Sequence, residues 1–235
     1  NDEEGEIGIC ILSALNLLEM NTDEDIEFTC RNAVRSLEAV IEYQEYPVKA
    51  GENFTKNRRS LGIGITNLAG FLAKHKILYG DPDALKLMHE TMEKIQWNLI
   101  NESCILAAEL GPCPKFEETK YAQGLLPIDW YKKEVDKLVK PKYNMDWKGL
   151  KTRINEFGLR HSTLSAIMPC ESSSVIQNST NGIEPVRNLL SFKKAKNGIL
   201  KQVVPNYHTR KNYYTKAWEL TSNKDIMNIA AVIQK

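Results

Sequence analysis

The chain has 235 residues, 42% of them hydrophobic and 26% charged, the balance of a soluble globular protein with a sizeable core. Its 31 basic and 30 acidic side chains leave a formal net charge of +1, which makes no electrostatic case for nucleic acid or an anionic membrane as partner. No apolar run approaches a membrane span, Asn1-Asp2-Glu3-Glu4 is neither a signal nor a transit peptide, and the expected location is the cytoplasm.

Five cysteines stand at positions 10, 30, 104, 113 and 170. None forms a C-x-x-C pair and no histidine lies at zinc-ligand spacing from them, so no structural metal site is expected. An odd, widely spaced set suits a reducing compartment, and most of the five are expected as small buried apolar residues.

Along the chain, residues 1–5 read as an acidic turn. Glu6 to Leu12 is a nearly continuous apolar run, expected as a buried strand. With no element before it, that strand suggests a chain entered in the middle of a sheet. Thr22-Asp23-Glu24-Asp25 caps a helix with Ile26, Ala33, Leu37, Val40 and Ile41 at helical spacing, ended by Pro47. Lys49 to Asn57 is predicted as a polar loop, and Arg58 to Ile65 as a second strand whose arginines are expected to be solvated. Its Gly62-x-Gly64 pair lacks the third glycine of a dinucleotide fingerprint, with Asn67 in that place, so the glycines read as points of close backbone packing.

Asp81-Pro82 opens a long helix with the stripe Leu85, Met88, Met92, Ile95 and Leu99, closed by Gly111-Pro112. An aromatic segment follows, then a helix after Pro127 and another from Asp146 to Phe157, ended by Gly158. Leu159 to Met168 is predicted as a strand. Lys196-Asn197-Gly198 signals a type I′ hairpin between Leu189 to Lys193 and Ile199 to Val204. Helices are predicted over Asn206 to Leu220 and from a cap at Ser222; the last ends without a capping signal, so both ends read as cut. Strands alternating with helices predict an α/β arrangement with parallel pairing.

The stretch with most chemical content is Met168-Pro169-Cys170-Glu171-Ser172-Ser173-Ser174. An apolar run stops at a proline, hydroxyl residues follow, and a helix can open. The N–H groups left unpaired at a helix start favour an anion such as phosphate. The same serines suit plain N-capping, the commoner use, and the pattern alone leaves both readings open.

This stretch, with Asn181-Gly182-Ile183-Glu184-Pro185 after it, resembles the substrate-phosphate loop of the class I ribonucleotide reductase large subunit. The resemblance extends over nearly the whole chain. It includes Gly5-Glu6-Ile7-Gly8-Ile9-Cys10, Tyr46-Pro47, Arg58 to Ile65, Gly111-Pro112-Cys113, Leu159 to Leu164 and Gln202-Val203-Val204-Pro205. It implies an α/β fold, the second half of a ten-stranded α/β barrel, with residues 1–235 as the C-terminal part of the catalytic barrel domain. It implies a chain that takes part in reducing ribonucleoside diphosphates to deoxyribonucleoside diphosphates.

The resemblance implies that Pro169, Cys170, Glu171, Ser172 and Ser173 hold the substrate diphosphate, Glu171 through its backbone N–H. Cys170 stands where a small hydroxyl residue is usual, so no side-chain bond carries over to it, while its backbone donor is unaffected. Cys10 matches one of two cysteines that the family oxidises to a disulfide as the ribose 2′-hydroxyl leaves; its partner, like the radical cysteine, lies upstream in the family. Cys30, Cys104 and Cys113 match no family chemistry, and Tyr213-Tyr214 is assigned to packing. No cofactor or metal is expected on the chain itself. The implied partners are an N-terminal half of the subunit, a metal-containing small subunit that supplies the radical, and thioredoxin or glutaredoxin as reductant. Without the first two the 235 residues are expected to be inactive. The alternative is a non-catalytic fragment that serves nucleotide binding or assembly.

Overall fold

The computed structural model describes residues 3–195, 198–220 and 222–235. Strand β1 is Ile11–Asn16, and a 3-10 turn at Leu17–Glu19 leads to helix α1, Asp23–Tyr43. The predicted cap of α1 is present: Asp25 N–H donates to Thr22 Oγ1 at 3.1 Å, and Thr22 N–H donates to Asp25 Oδ2 at 3.0 Å. The helix ends at Tyr43, ahead of Pro47. Next come α2 (Lys49–Arg58), β2 (Leu61–Thr66) and α3 (Leu68–Lys74). The long helix α4 is Pro82–Leu110, with Pro82 at its start and Gly111 at its end as expected. Then follow α5 (Pro127–Trp130), α6 (Trp147–Phe157, capped by the Asp146 side chain), α7 (Glu171–Ile176), β3 (Leu190–Ala195), β4 (Gly198–Val203), α8 (Tyr207–Arg210) and α9 (Lys224–Ile233).

Strands β1 and β2 pair in parallel, Ile11 opposite Leu61 through Asn16 opposite Thr66. The first strand therefore starts at Ile11 and not at Glu6. Ahead of it the chain runs along a helix, with Ile7 N–H bonded to Ala50 O at 3.0 Å and Ile9 packed on Gly51. That helix is α2, which replaces the loop expected over Lys49 to Asn57. Its sequence is polar, but Ala50, Gly51 and Thr55 are buried, so tertiary contact with residues 3–9 stabilises it.

The strand expected over Leu159 to Met168 is reduced to one parallel bridge, Ser165 beside Ile63. Leu61 and Ile63, two residues apart on β2, donate to the consecutive carbonyls of Thr163 and Leu164. The ladder slips by one residue there, as at a bulge, and regular pairing cannot continue. Among the described residues the main sheet is thus two parallel strands and this bridging segment, in a fold of mixed helix and strand. The strands β3 and β4 form a separate antiparallel hairpin. Of the predicted type I′ turn, Lys196 and Asn197 lie outside the described residues.

The core fills the space between the sheet and the pair α1 and α4. Met88, Ile95 and Leu99 of the predicted α4 stripe are buried, with Leu61, Leu68, Leu72, Leu150, Ile154 and Leu159 around them. Each such side chain contributes about 1.5–3 kcal/mol by burial. The helix expected from Asn206 to Leu220 is broken into α8 and two 3-10 turns. Asn206 takes a left-handed φ of 54°, and Lys216 leaves helical geometry to pair with Val186. Tyr214 is buried, its hydroxyl on Pro205 O at 2.8 Å, in agreement with a packing role. The last helix, α9, starts at Lys224, whose N–H donates to Ser222 Oγ. Among the described residues no helix is long and apolar enough to cross a membrane.

Candidate functional site

The candidate phosphate turn follows the single bridge at Ser165 and enters α7 at Glu171. Cys170 is buried, and its thiol points inward, donating to Met168 O at 3.4 Å and Ile65 O at 3.8 Å. Burial pushes that thiol above its ordinary value. The Cys170 N–H is already engaged by Asn181 Oδ1 at 2.9 Å. The N–H groups of Ser172 and Ser173 lie in the first turn of α7, where α-helical bonding supplies no acceptor. Ser172 is exposed and Ser173 half-buried, and the Ser173 hydroxyl donates back to Cys170 O at 3.2 Å. A cavity of about 420 Å³ adjoins the turn, lined by Pro169, Glu171, Ser174, Thr180, Asn181 and Glu184 among others.

Cys10 sits immediately before β1 and is exposed, whereas Cys30, Cys104, Cys113 and Cys170 are all buried. Burial pushes the Cys30 thiol up to about 12 and that of Cys113 up to about 11, which keeps both in the unreactive thiol form. The Cys10 sulfur lies 4.0 Å from Ser60 Oγ, and Ser60 is hydrogen-bonded in turn to Thr163 Oγ1. Continued back by one residue, the register of β1 and β2 puts Cys10 on the face that carries Gly62 and Gly64. A Cβ at Gly62 would lie 2.6 Å from Leu12, and one at Gly64 2.7 Å from Met168 Sδ, so both glycines are points of close approach, as predicted.

The structure does not bring Cys10 and the turn into contact. Cys10 is level with Ser60 and Cys170 with Ile65; along a strand that separation is roughly 16 Å.

Arg58 and Arg59, expected to be solvated, are both in ion pairs. Arg58 meets Glu6 and Glu118. Arg59 is buried, with a left-handed φ of 47°, and its guanidinium binds both oxygens of Glu38 at 2.6 and 2.9 Å and also Glu42. The Glu38 carboxylate also accepts from Arg160 Nε at 2.8 Å and bonds His161 Nε2 at 3.1 Å. Burial pushes the Glu38 carboxyl up, but the bonds from His161, Arg59 and Arg160 outweigh it and hold the group down at about 2. His161 Nδ1 meets Ser103 Oγ at 2.9 Å. Serine, histidine and carboxylate in one row suggest a hydrolytic triad. Ser103 and His161 have no exposed surface, however, so no substrate reaches them and the cluster is structural. It is invisible to sequence reading, since its members come from four separate segments.

The ties of the turn to Asn181 were legible only in that Asn181-Gly182-Ile183-Glu184-Pro185 belongs to the same motif. The family model for the ribonucleotide reductase barrel domain matches residues 1–235. The chain is 48% identical over 235 residues to the ribonucleoside-diphosphate reductase subunit alpha of Haemophilus influenzae, covering all of this chain and 31% of that protein. It is 46% identical over 235 residues to the protein of that name from Buchnera aphidicola subsp. Baizongia pistaciae, again 100% of this chain and 31% of the relative. With ribonucleoside-diphosphate reductase 1 subunit alpha of Escherichia coli K12 it shares 47% identity over 195 residues, 83% of this chain and 26% of the relative. The chain thus spans about a third of the length of the curated relatives it matches. The family match over residues 1–235 takes in both the exposed Cys10 and the turn at Pro169, and the chain belongs to the ribonucleotide reductase barrel-domain family.

Proposed function

We propose that residues 1–235 are the C-terminal part of a reductase catalytic barrel, the second half of its ten strands, acting on ribonucleoside diphosphates. The turn from Pro169 to Ser173 holds the substrate diphosphate, and Cys10 supplies one of two reducing thiols. The observation that carries the reading is the turn itself. A chain that leaves its bridge to β2 at Ser165 turns at Pro169 and opens a helix beside a cavity lined in part by Pro169 and Glu171, with the Ser172 and Ser173 N–H groups in the helix's first turn. The face between turn and cysteine carries Gly62 and Gly64, over which Leu12, Ala166 and Met168 pack closely.

The reaction balances with two thiols. A ribonucleoside diphosphate and two Cys–SH give the deoxyribonucleoside diphosphate, one disulfide and water, the 2′-hydroxyl leaving with a proton. Each thiol gives up one electron and one proton. The initiating radical comes from a separate metal-containing small subunit, and thioredoxin or glutaredoxin restores the thiols. This chain's own part is to bind the phosphates, expose Cys10 and keep the remaining thiols buried.

Replacing Ser172 and Ser173 together by Ala in the whole subunit, assayed with its small subunit, is expected to raise KM for a ribonucleoside diphosphate about tenfold, the cost of one charge-assisted hydrogen bond. Ser173→Ala alone should do less, because that hydroxyl is spent on Cys170 O. Glu171→Gln should leave KM unchanged or lower it, since removal of a carboxylate relieves repulsion. If the double variant binds substrate as well as the parent while Glu171→Gln loses it, the carboxylate is the ligand and the reading is wrong.

A further inference from the structure

Asn67, which stands where a dinucleotide fingerprint would have glycine, has a left-handed φ of 68° and is 1% exposed. Asparagine is among the few side chains that adopt this conformation readily. The backbone alone would be served by glycine, so the side chain calls for a separate account. Asn67 Oδ1 accepts from the Thr180 N–H at 3.1 Å and from the Thr180 hydroxyl at 3.3 Å. The Thr180 N–H can only donate, which fixes the orientation of the amide. Asn67 Nδ2 then donates to Asn16 Oδ1 at 2.9 Å, at the end of β1. The backbone adds to the tie: Asn67 N–H donates to Thr180 O at 2.9 Å, and Thr66 Oγ1 donates to the same carbonyl at 2.7 Å.

The residue after Thr180 is Asn181, whose Oδ1 holds the Cys170 N–H at the mouth of the turn. Before Thr180, Ser179 N–H donates to Ser174 O at 2.8 Å, at the back of α7. Residues 179–181 are thus a strap, bolted at Thr180 to the ends of β1 and β2 and gripping the turn at Cys170 and Ser174. Gly70 keeps the bolt clear, because a Cβ there would collide with Asn67 Oδ1. We infer that Asn67 is a positioning residue for substrate. Through Thr180 and Asn181 it fixes the height of the Cys170–Ser173 backbone over the sheet, and with it the aim of the donors that meet the diphosphate. The inference rests on the proposed role of that turn.

The test uses the whole subunit with its small subunit and measures kcat and KM for a ribonucleoside diphosphate. Asn67→Gly keeps the left-handed backbone and deletes only the side-chain ties. It is expected to raise KM about five- to tenfold with kcat within about twofold, as for the loss of aligned hydrogen bonds. Gly70→Ala should reproduce that split by displacing Asn67 Oδ1. Asn181→Ala, which leaves every Asn67 contact in place, should do so too. A purely structural role would lower the active fraction, and so apparent kcat, at unchanged KM. Unchanged KM in Asn67→Gly, with or without a fall in kcat, overturns the inference. If Asn67→Gly does not fold, Asn181→Ala decides: a raised KM supports the strap and an unchanged one removes it. The Ser172 and Ser173 double variant separates the two levels of argument. If it raises KM while Asn67→Gly does not, only the positioning role fails; if it does not raise KM, the phosphate-turn reading fails first.

Discussion

Replacing Glu38 by Ala is expected to destabilise the fold by about 3–5 kcal/mol, the usual cost of leaving buried charges without their partner. Arg59 and Arg160 both lose a carboxylate acceptor, and His161 loses the oxygen on its Nε2. Arg59 is 4% exposed and cannot turn to water; the exposed Glu42 carboxylate then remains as its sole ion-pair acceptor in the cluster. Urea unfolding of the parent and variant checks the magnitude, and a loss below about 1 kcal/mol would show that the cluster relaxes freely.

The same cluster sets a pH dependence. The Glu38 carboxyl is held down at about 2, against an ordinary value of 4.5, by bonds that exceed the effect of its burial. Its contribution is therefore complete above pH 4.5 and is lost as pH falls from there towards 2. His161 is lowered from 6.5, chiefly by burial, so the unfolded chain takes up its proton first and stability already declines as pH falls below 6.5. Acidification should weaken the parent in these two stages. Glu38→Gln should lack the lower stage, and His161→Asn the upper one.

Cys10→Ser is expected to abolish multiple turnover in the whole subunit, by about a thousandfold or more, as when one member of a reacting set is removed. On the proposed reading, disulfide formation delivers two electrons to the sugar, and a serine cannot be oxidised to a disulfide, so no reducing equivalents reach the sugar. Cys30→Ser should leave turnover per folded enzyme unchanged, because the Cys30 thiol is buried and donates to Ile95 O at 3.8 Å. Exposure predicts the same order for alkylation, with iodoacetamide modifying Cys10 first and the four buried thiols only on unfolding. Full turnover by the Cys10→Ser protein would remove Cys10 from the chemistry.

The features that the sequence determined by itself share one property: the groups that specify them are neighbours along the chain. The Thr22 and Asp25 cap of α1 and the Asp146 cap of α6 act through side chains on nearby backbone N–H groups. Pro82 at the start of α4, and Gly111 and Gly158 at the ends of α4 and α6, act through the backbone conformations they allow. The turn at Pro169 was legible for the same reason, as a proline stop followed by hydroxyl residues.

Tertiary structure decided the rest. The polar segment over Lys49 to Asn57 is helical because residues 3–9 lie along it, and no periodicity in the segment records that contact. The strand expected from Leu159 is cut to one bridge by a slip against β2, and the helix expected from Asn206 breaks where Lys216 pairs with Val186. Arg59 reads as a surface residue until Glu38, 21 positions earlier, is folded against it. The candidate site divides in the same way. Its donors lie in one short stretch, but the height at which they stand is set by Asn67 and Thr180, 113 residues apart. A hydrogen bond between such partners has no local signature, because its energy is realised only after the intervening chain has been ordered by the core.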